Sequence, residues 1–157
     1  MSTILTRKSP TAGYDLVDSH ALSLTLATES FRDGMVTWLI SKLRNDGFDG
    51  LKASQLTFLG SLDCGANFAA ELARTLRISR QAVHKTVREL EGAGWLATRP
   101  DDTLGNQRVI VFTEEGERMM SRARAHFLTL DGLLVQKFGE KRLRELLDML
   151  SFEPDTI

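Results

Sequence analysis

Apolar residues recur along most of the chain at the spacing that places them on one face of an α-helix. Residues 18–43 follow the i, i+3, i+4 rhythm of a long amphipathic helix, although Gly34 weakens it by about 1 kcal/mol relative to alanine. A second long run covers residues 114–134, and Gly139 separates it from a shorter helical pattern over residues 143–152. The pattern therefore predicts long helices at both ends of the chain.

Between these long helices the rhythm changes. Residues 69–91 carry two short helical patterns around a tight turn, and residues 95–97 begin a strand directly afterwards. The β-branched and aromatic run at residues 109–112 indicates a second strand, and residues 100–106 between the strands are rich in turn formers. The order of these elements predicts a helix-turn-helix followed by a β-hairpin wing.

Polar residues and glycines stand where these helices are expected to begin and end. Asn67, Ser79 and Thr113 each precede a predicted helix, where their side chains can accept a hydrogen bond from an unpaired amide in the first turn. Gly92 and Gly94 follow the helix that begins after Ser79, and glycine adopts the left-handed conformation of a helix end at little cost.

The helix after Ser79 separates donor-rich positions from apolar ones. At about 100° per residue, the two groups fall on opposite arcs of roughly 140° each. The apolar arc holds Ala82, Val83, Thr86, Val87 and Leu90. The donor-rich arc holds Arg80, Gln81, His84, Lys85 and Arg88. Arginine can bond guanine, and glutamine adenine, through two hydrogen bonds in the major groove. A charged face is also typical of any surface helix, so this helix alone does not decide the function.

The charge of the chain is uneven. The whole sequence of 157 residues has a net charge of −1, which is not typical of a nucleic-acid-binding protein. From Arg74 to Arg99, six basic residues stand against two acidic ones, a local net charge of +4. Attraction to phosphates depends on this local field more than on the total charge.

This succession of elements resembles the MarR family of bacterial transcription regulators, which are winged helix-turn-helix proteins. The matching segments are LKASQLTFLGSL from Leu51, AAELARTLRISRQAVHKTVRELEGAGWLATR from Ala69, and VIVFTEEG from Val109. The similarity covers roughly residues 20–150 and is strongest from Ala69 to Gly116. The expected fold class is mostly α with a small β-hairpin wing, as a winged helix-turn-helix with N- and C-terminal dimerisation helices.

The resemblance also implies which residues contact DNA. It assigns Arg80, Gln81, His84 and Lys85 to the face of the recognition helix that contacts bases and phosphates. Around this face, the further DNA-binding candidates are Ser79, Arg88, Arg99, Asn106 and Arg108.

The wing departs from the family pattern. Family members often carry an Asp-x-Arg or Asp-Arg-Arg turn whose arginine enters the minor groove. This chain has Leu104, Gly105 and Asn106 at those positions, so Arg108 and Arg99 are the two candidates for the missing arginine.

The predicted organisation is a flexible N-terminal arm over residues 1–17 and a single MarR-like domain over residues 18–157. Within it, residues 51–113 form the winged helix-turn-helix lobe, and residues 18–45 and 114–152 form dimerisation helices. The lobe does not need the apolar surface of these flanks, and a second copy of the chain is the simplest partner for it. A homodimer would place two recognition helices about 34 Å apart on a pseudopalindromic operator. The alternative is that the flanks complete a monomeric core.

Regulation by a small aromatic ligand is implied by the resemblance, since such ligands often bind between the dimerisation helices and the DNA-binding lobe. Phe31, Met35, Trp38 and Phe58 are the candidate lining residues. The alternative interpretation is that these four residues are ordinary core residues at helical spacing.

Other classes of protein have less support. The three histidines belong to no HExxH or CxxC pattern, and neither a GxSxG elbow nor a phosphate-binding glycine loop is present. We therefore expect neither an enzyme nor a metal or other cofactor. The single cysteine, Cys64, excludes an internal disulfide and is either an ordinary small residue or an oxidant sensor. The N-terminus lacks a secretory pattern and no segment has the length of a membrane helix, so a cytoplasmic location is expected.

The sequence thus favours a dimeric, sequence-specific transcription regulator, a repressor rather than an activator, with release by a small ligand as a further expectation. Two alternatives remain open at this point. One is a winged-helix module that binds only protein, and the other is an oxidant-sensing regulator that acts through Cys64.

Overall fold

The structure is a computed structural model that describes residues 6–8, 11–13, 15–17, 19–101 and 107–152. Its residues form two compact units, Met1–Trp38 and Leu39–Ile157. The helix α1, which extends over His20–Asn45, contributes residues to both.

The first unit contains a short hairpin before α1. Strand β1 (Thr6–Lys8) pairs antiparallel with β2 (Asp15–Val17). Gly13 lies between the strands with a φ of +70°, a conformation that favours glycine. The sequence predicts a flexible arm over residues 1–17 and gives no sign of this hairpin.

The second unit is a winged helix-turn-helix followed by two helices. After the last turns of α1, its elements are α2 (Ala53–Gly60), α3 (Ala69–Thr75), α4 (Arg80–Gly92), β3 (Leu96–Pro100), β4 (Arg108–Phe112), α5 (Glu114–Phe138) and α6 (Glu140–Leu150). Strands β3 and β4 form an antiparallel hairpin, with Leu96 opposite Phe112 and Pro100 opposite Arg108. The predicted fold class, mostly α with a small β-hairpin wing in a winged helix-turn-helix, is confirmed, whereas the dimerisation role of the terminal helices stays a prediction. Gly139 separates α5 from α6 with a φ of +82°, as its position in the sequence predicts.

The core of this unit draws its largest side chains from four helices and from the wing. Its largest completely buried side chains are Leu43, Leu59, Val83, Leu90 and Met119. They come from α1, α2, α4 and α5, and Leu96 and Val109 extend the core to the base of the wing. The helix-turn-helix and the start of α5 therefore share one apolar interior.

Helix α4 ends in a way that sends the chain directly into the wing. Gly94 has a φ of +80°, and its amide donates to the carbonyl of Glu91 at 2.9 Å. The amide of Trp95 donates to the carbonyl of Leu90 at 3.0 Å, which completes a Schellman motif. Trp95 and Leu90 are both buried in the core.

The start of α5 is attached to this same turn. Thr113 caps α5 as predicted, because its Oγ1 accepts from the amide of Gly116 at 3.0 Å. The same hydroxyl donates to the carbonyl of Gly94 at 2.6 Å, and the amide of Thr113 donates to the carbonyl of Trp95 at 3.1 Å. The end of α4 and the start of α5 are thus joined by three hydrogen bonds through one threonine. We call this the α4–α5 junction.

A second polar contact attaches α5 to the residue that follows α1. Arg122 donates to both carboxylate oxygens of Asp46, at 3.0 and 3.1 Å, and His126 Nε2 lies 2.8 Å from Asp46 Oδ2. The hydrogen bond from Arg122, and then that from His126, lowers the pKa of Asp46 to about 2. The carboxylate therefore stays ionised at neutral pH, and the bidentate contact attaches α5 to the end of α1.

The α4–α5 junction leaves no space for a side chain at residue 116. A Cβ at Gly116 would lie 2.1 Å from the carbonyl oxygen of Trp95 and 3.2 Å from the ring of Phe112. We expect Gly116→Ala to lower the free energy of unfolding by about 1 to 3 kcal/mol, because the backbone must move to admit the methyl group. Gly132→Ala is the matched control, since nothing lies within 4 Å of its added Cβ. It should raise stability by up to about 1 kcal/mol. Denaturant unfolding checks both, and equal stability of the two variants would contradict the junction.

Candidate nucleic-acid interface

The turn between α3 and α4 is made without glycine. Arg77 has a φ of +53°, which places a long side chain in the left-handed region. Its amide donates to the carbonyl of Arg74 at 3.3 Å, and the amide of Ile78 donates to the carbonyl of Ala73 at 3.0 Å. This is a second Schellman motif, and it ends α3 so that only four residues separate α3 from α4.

Ser79 caps α4 as the sequence predicts. Its Oγ accepts from the amide of Ala82 at 3.1 Å, and its backbone is extended, with φ and ψ of −70° and 151°. The cap leaves the first turn of α4 exposed, with Arg80 and Gln81 on the outside. Arginine and glutamine are side-chain types that can each form two hydrogen bonds to a base in the major groove.

Asn67 does not cap α3, and that expectation is wrong. The N-cap position belongs to Phe68, which makes no capping bond with its side chain. Asn67 is instead buried, and its amide nitrogen donates to the carbonyls of Asp63 at 3.0 Å, Gly65 at 3.1 Å and Ile110 at 3.3 Å. Its Oδ1 accepts from the amide of Asp63 at 2.9 Å. The tertiary contact with Ile110 competes successfully with local capping.

Helix α4 has the two faces that its sequence predicts. Val83, Val87 and Leu90 are buried, and Ala82 and Thr86 are half-buried. All five donor-bearing residues of the opposite arc are exposed, namely Arg80, Gln81, His84, Lys85 and Arg88. The helix therefore attaches to the core by one face and presents the other to solvent.

A groove of about 740 Å³ lies between this exposed face and the hairpin β3–β4, and we call it the wing groove. Helix α4 lines it with Gln81, His84, Lys85, Val87, Arg88 and Glu91. The wing lines it with Thr98, Arg108 and Ile110, and Ala69 of α3 contributes as well. Four of the predicted DNA-binding residues on α4 are thus brought together with one from the wing.

The two candidate wing arginines lie on opposite faces of the hairpin. Arg108 lines the wing groove, and its guanidinium donates to the carbonyl of Thr98 at 3.2 Å. Arg99 is adjacent to Thr98 on β3, and side chains alternate between faces along a strand. Arg99 therefore points away from the groove and is exposed. Asn106, the third wing candidate, lies outside the described residues.

The cations of the wing groove have no acidic partners among residues 19–101 and 107–152. Salt bridges in these ranges involve other basic residues, so Lys85, Arg88 and Arg108 remain available to an anion. Glu89, one of the two acidic residues of α4, accepts a hydrogen bond from Gln55 Nε2 at 3.3 Å. This bond directs its carboxylate towards α2.

The residues that complete the wing groove were not predicted as site residues. Thr98 and Ile110 are direct partners in the register of β3 and β4, and both line the groove with Arg108. The alternation of side chains along a strand shows in the sequence that Thr98 and Arg99, or Arg108 and Val109, lie on opposite faces. Which of the two faces meets α4 follows only from how the hairpin packs.

The four candidate ligand-binding residues are divided between the two units. Phe31 is 57% exposed on α1, where Met35 and Trp38 are half-buried. Phe58 is buried in the core of the second unit. None of the four lines the wing groove. The ligand pocket stays a prediction.

Cys64 is exposed in the loop before α3. Its Sγ lies 3.5 Å from an Nη of Arg124, and the two residues line a cavity of about 180 Å³ with Phe112, Glu117 and Met120. Within the described part of the chain, no group of three or more histidine, cysteine, aspartate or glutamate side chains is placed to hold a metal ion. No helix among the residues searched is long and apolar enough to cross a membrane.

Comparison with known proteins agrees with this geometry. The sequence model of the MarR family matches residues 49–103, which extend from before α2 to the wing. A MarR-like transcriptional regulator from Thermotoga maritima has 21% identity and a TM-score of 0.65, with 87% of this chain and all of the other covered. A MarR family transcriptional regulator from Rhodococcus sp. RHA1 has 17% identity and a TM-score of 0.62, and the match covers 85% of this chain and 94% of the other.

The transcriptional repressor CouR, whose structure was solved bound to a 23-mer DNA duplex, also has a similar fold. Its identity is 21% and its TM-score 0.66, and 85% of this chain and 90% of that one are covered. A search of curated proteins gives no match. Residues 49–103 thus match the MarR family in sequence, and over most of its length the chain has the winged helix-turn-helix fold of solved MarR family regulators.

Proposed function

We propose that the protein is a dimeric, sequence-specific DNA-binding transcription regulator that acts as a repressor in the cytoplasm and has no enzymatic activity. The observation that carries this proposal is the wing groove. It combines an exposed recognition helix and a wing arginine, and its cations have no acidic partners in the described residues. CouR, a repressor of the same fold, was solved on a DNA duplex, which supports both the ligand class and the direction of control.

The roles of the recognition-helix residues follow from their position along α4. Arg80 and Gln81 lie in the first turn, the end that usually meets base edges in a helix-turn-helix. We assign guanine contact to Arg80 and adenine contact to Gln81. His84 and Lys85 lie one turn later and assist on the same face, whereas Arg88 contacts phosphate. Ser79 acts through its cap, which fixes the first turn of α4.

The wing contributes through Arg108 more than through Arg99. Arg108 shares the wing groove with Lys85 and Arg88, so one duplex can contact all three. Arg99 belongs to the reverse face of the hairpin, where its charge adds only to the general field. Asn106 remains a wing candidate from the sequence.

A second copy of the chain covers the apolar faces of the terminal helices. The buried residues of α5 are Gly116, Met119 and Ala123, all in its first half, and α6 buries none. The exposed apolar side chains of this region are Phe127, Leu128, Leu133, Val135, Phe138, Leu146, Leu147, Met149, Leu150 and Phe152. Soluble monomers rarely expose so many apolar side chains on neighbouring helices. Helix α1 adds Leu22, Leu24, Leu26 and Phe31 in the first unit.

Release by a small ligand would act through the spacing of the two recognition helices. A ligand that binds more tightly to the spacing that does not fit the operator lowers DNA affinity by that difference in binding free energy. The described residues identify no such ligand.

Selection of bound sequences from random duplexes, repeated at two salt concentrations, tests the proposed function directly. We expect a pseudopalindromic site with half-sites one helical turn apart, and an affinity that falls steeply with salt. A protein-binding winged helix would select no sequence and show little dependence on salt. That outcome would replace the proposal with the alternative.

Arg80→Ala tests the base-reading role of α4. We expect a loss of about 1 to 3 kcal/mol in operator affinity and a relaxed preference at one position of each half-site, because the bidentate contact is lost. Repeating the selection with the variant checks this. Thr75→Ala, an exposed change at the end of α3, serves as the control and should leave the preference unchanged. An unaltered selected sequence for Arg80→Ala would mean that α4 does not read bases.

Arg108→Gln and Arg99→Gln form a matched pair on opposite faces of the wing. Loss of the Arg108 charge should weaken all sequences alike and reduce the slope of log affinity against log salt by about 1 per half-site. Arg99→Gln should change the slope less, since that side chain points away from the wing groove. Titration at several salt concentrations measures both slopes. A larger effect at Arg99 would reverse the assignment.

Leu147→Glu tests the second copy. Leu147 is 63% exposed on α6, and a carboxylate there would have to be desolvated on pairing. We expect light scattering to show a dimer for the wild type and a monomer for Leu147→Glu. Lys141→Glu, on the polar face of the same helix, should remain dimeric. A wild-type protein that is monomeric at micromolar concentration would contradict the dimer.

A further inference from the structure

We propose that Asn67 is a positioning residue for DNA binding, which fixes the wing at the separation from α4 that one half-site requires. The proposal rests on the proposed function, because it assigns a role in the same groove. Asn67 does not touch DNA itself. It acts through Ile110, a wing residue that lines the wing groove.

The hydrogen bonds of Asn67 attach β4 to the loop before α3. The amide of Ile110 donates to the carbonyl of Asn67 at 2.8 Å, and the amide of Asn67 donates to the carbonyl of Ile110 at 3.1 Å. Ile110 therefore has a partner on each side. Thr98 of β3 pairs with it on one edge of β4, and Asn67 pairs with it on the other edge. Its side-chain nitrogen adds a third bond to the carbonyl of Ile110 at 3.3 Å.

The side chain of Asn67 also organises the loop that carries it. Residues 63–66 are exposed and bring no buried apolar side chain, so the loop has little packing of its own. The amide group of Asn67 supplies instead one acceptor and two donor hydrogens to Asp63, Gly65 and Ile110. Asparagine suits this position because aspartate has no donors and alanine has neither donors nor an acceptor.

The consequence for DNA binding comes from where Ile110 lies. Arg108 is two residues away on the same face of β4, and it shares the wing groove with Lys85 of α4. The phosphates of a duplex have fixed separations. The cations of α4 and those of the wing can therefore contact phosphates at the same time only when the wing groove has the matching width. A wing that is already held at this width loses less conformational entropy on binding than one that moves.

Asn67→Ala is the test variant, and Leu59→Ala is its control. Leu59 is completely buried on α2 and does not line the wing groove, so its truncation lowers stability without touching the wing. Both variants are compared with the wild type well below their unfolding transitions. The measurements are affinity for the selected operator, its salt slope, and hydroxyl-radical protection of the minor groove beside each half-site.

We expect Asn67→Ala to bind about tenfold more weakly, which corresponds to about 1.4 kcal/mol. It should lose the wing-side protection and part of the salt slope, as Arg108→Gln does, while its selected base sequence stays that of the wild type. Leu59→Ala should keep affinity, slope and protection. Wild-type protection and slope in Asn67→Ala, or an equal loss in Leu59→Ala, would overturn the positioning role.

Amide hydrogen exchange in the wild type keeps the proposal testable if Asn67→Ala does not fold. The Ile110 amide should exchange as slowly as that of Val87 in the buried face of α4, because opening it requires the Asn67 bonds to break. Exchange as fast as at exposed Ala66 would overturn the proposal. A wild type that binds no duplex would overturn the proposed function and this role together. If the wild type binds its operator and Asn67→Ala binds it with the same affinity, salt slope and protection, this role alone would be overturned.

Discussion

The recognition helix of this protein is held in place by its connection to the helix that leaves the lobe. Thr113 bonds to Gly94 and to Trp95, and Gly116 lies so close to the Trp95 carbonyl that only hydrogen fits at its α-carbon. The end of α4, the start of the wing and the start of α5 consequently move as one piece. A change in the direction of α5 would therefore act on the end of α4 and the start of the wing through this junction.

Two further contacts limit how that piece can move. Asp46 binds Arg122 and His126 and attaches α5 to the end of α1, at a point about two helical turns beyond the junction. Asn67 attaches the other edge of the wing to the loop before α3. The wing groove is therefore bounded by elements whose separation is set by buried or bidentate hydrogen bonds, while its cations remain exposed to solvent. The groove therefore has a fixed shape, and among the described residues its cations have no acidic partners. Both properties suit the binding of a polyanion with regularly spaced charges.

Particular residues show how far local sequence rules reach. Ser79 and Thr113 cap the helices that they precede, and Gly94 and Gly139 end or separate helices as expected, because each depends only on neighbours within one turn. Asn67 obeys the same local rule in sequence but not in the structure, because a wing strand 43 residues away provides it with better partners. Arg99 and Arg108 were equivalent candidates until the register of the hairpin placed them on opposite faces. The hairpin at β1 and β2 was not predicted.

The sequence by itself determined the order of elements from α3 to α6 and the two faces of α4, since apolar periodicity at 3.6 and 2 residues is a local property of the chain. It also determined where positive charge concentrates, from Arg74 to Arg99. Only the tertiary structure decided that Arg108, Thr98 and Ile110 share a groove with Lys85, and that Asn67 faces the wing. Those choices depend on contacts between residues far apart in the chain, and such contacts are selected by the packing of a common core and not by neighbouring residues.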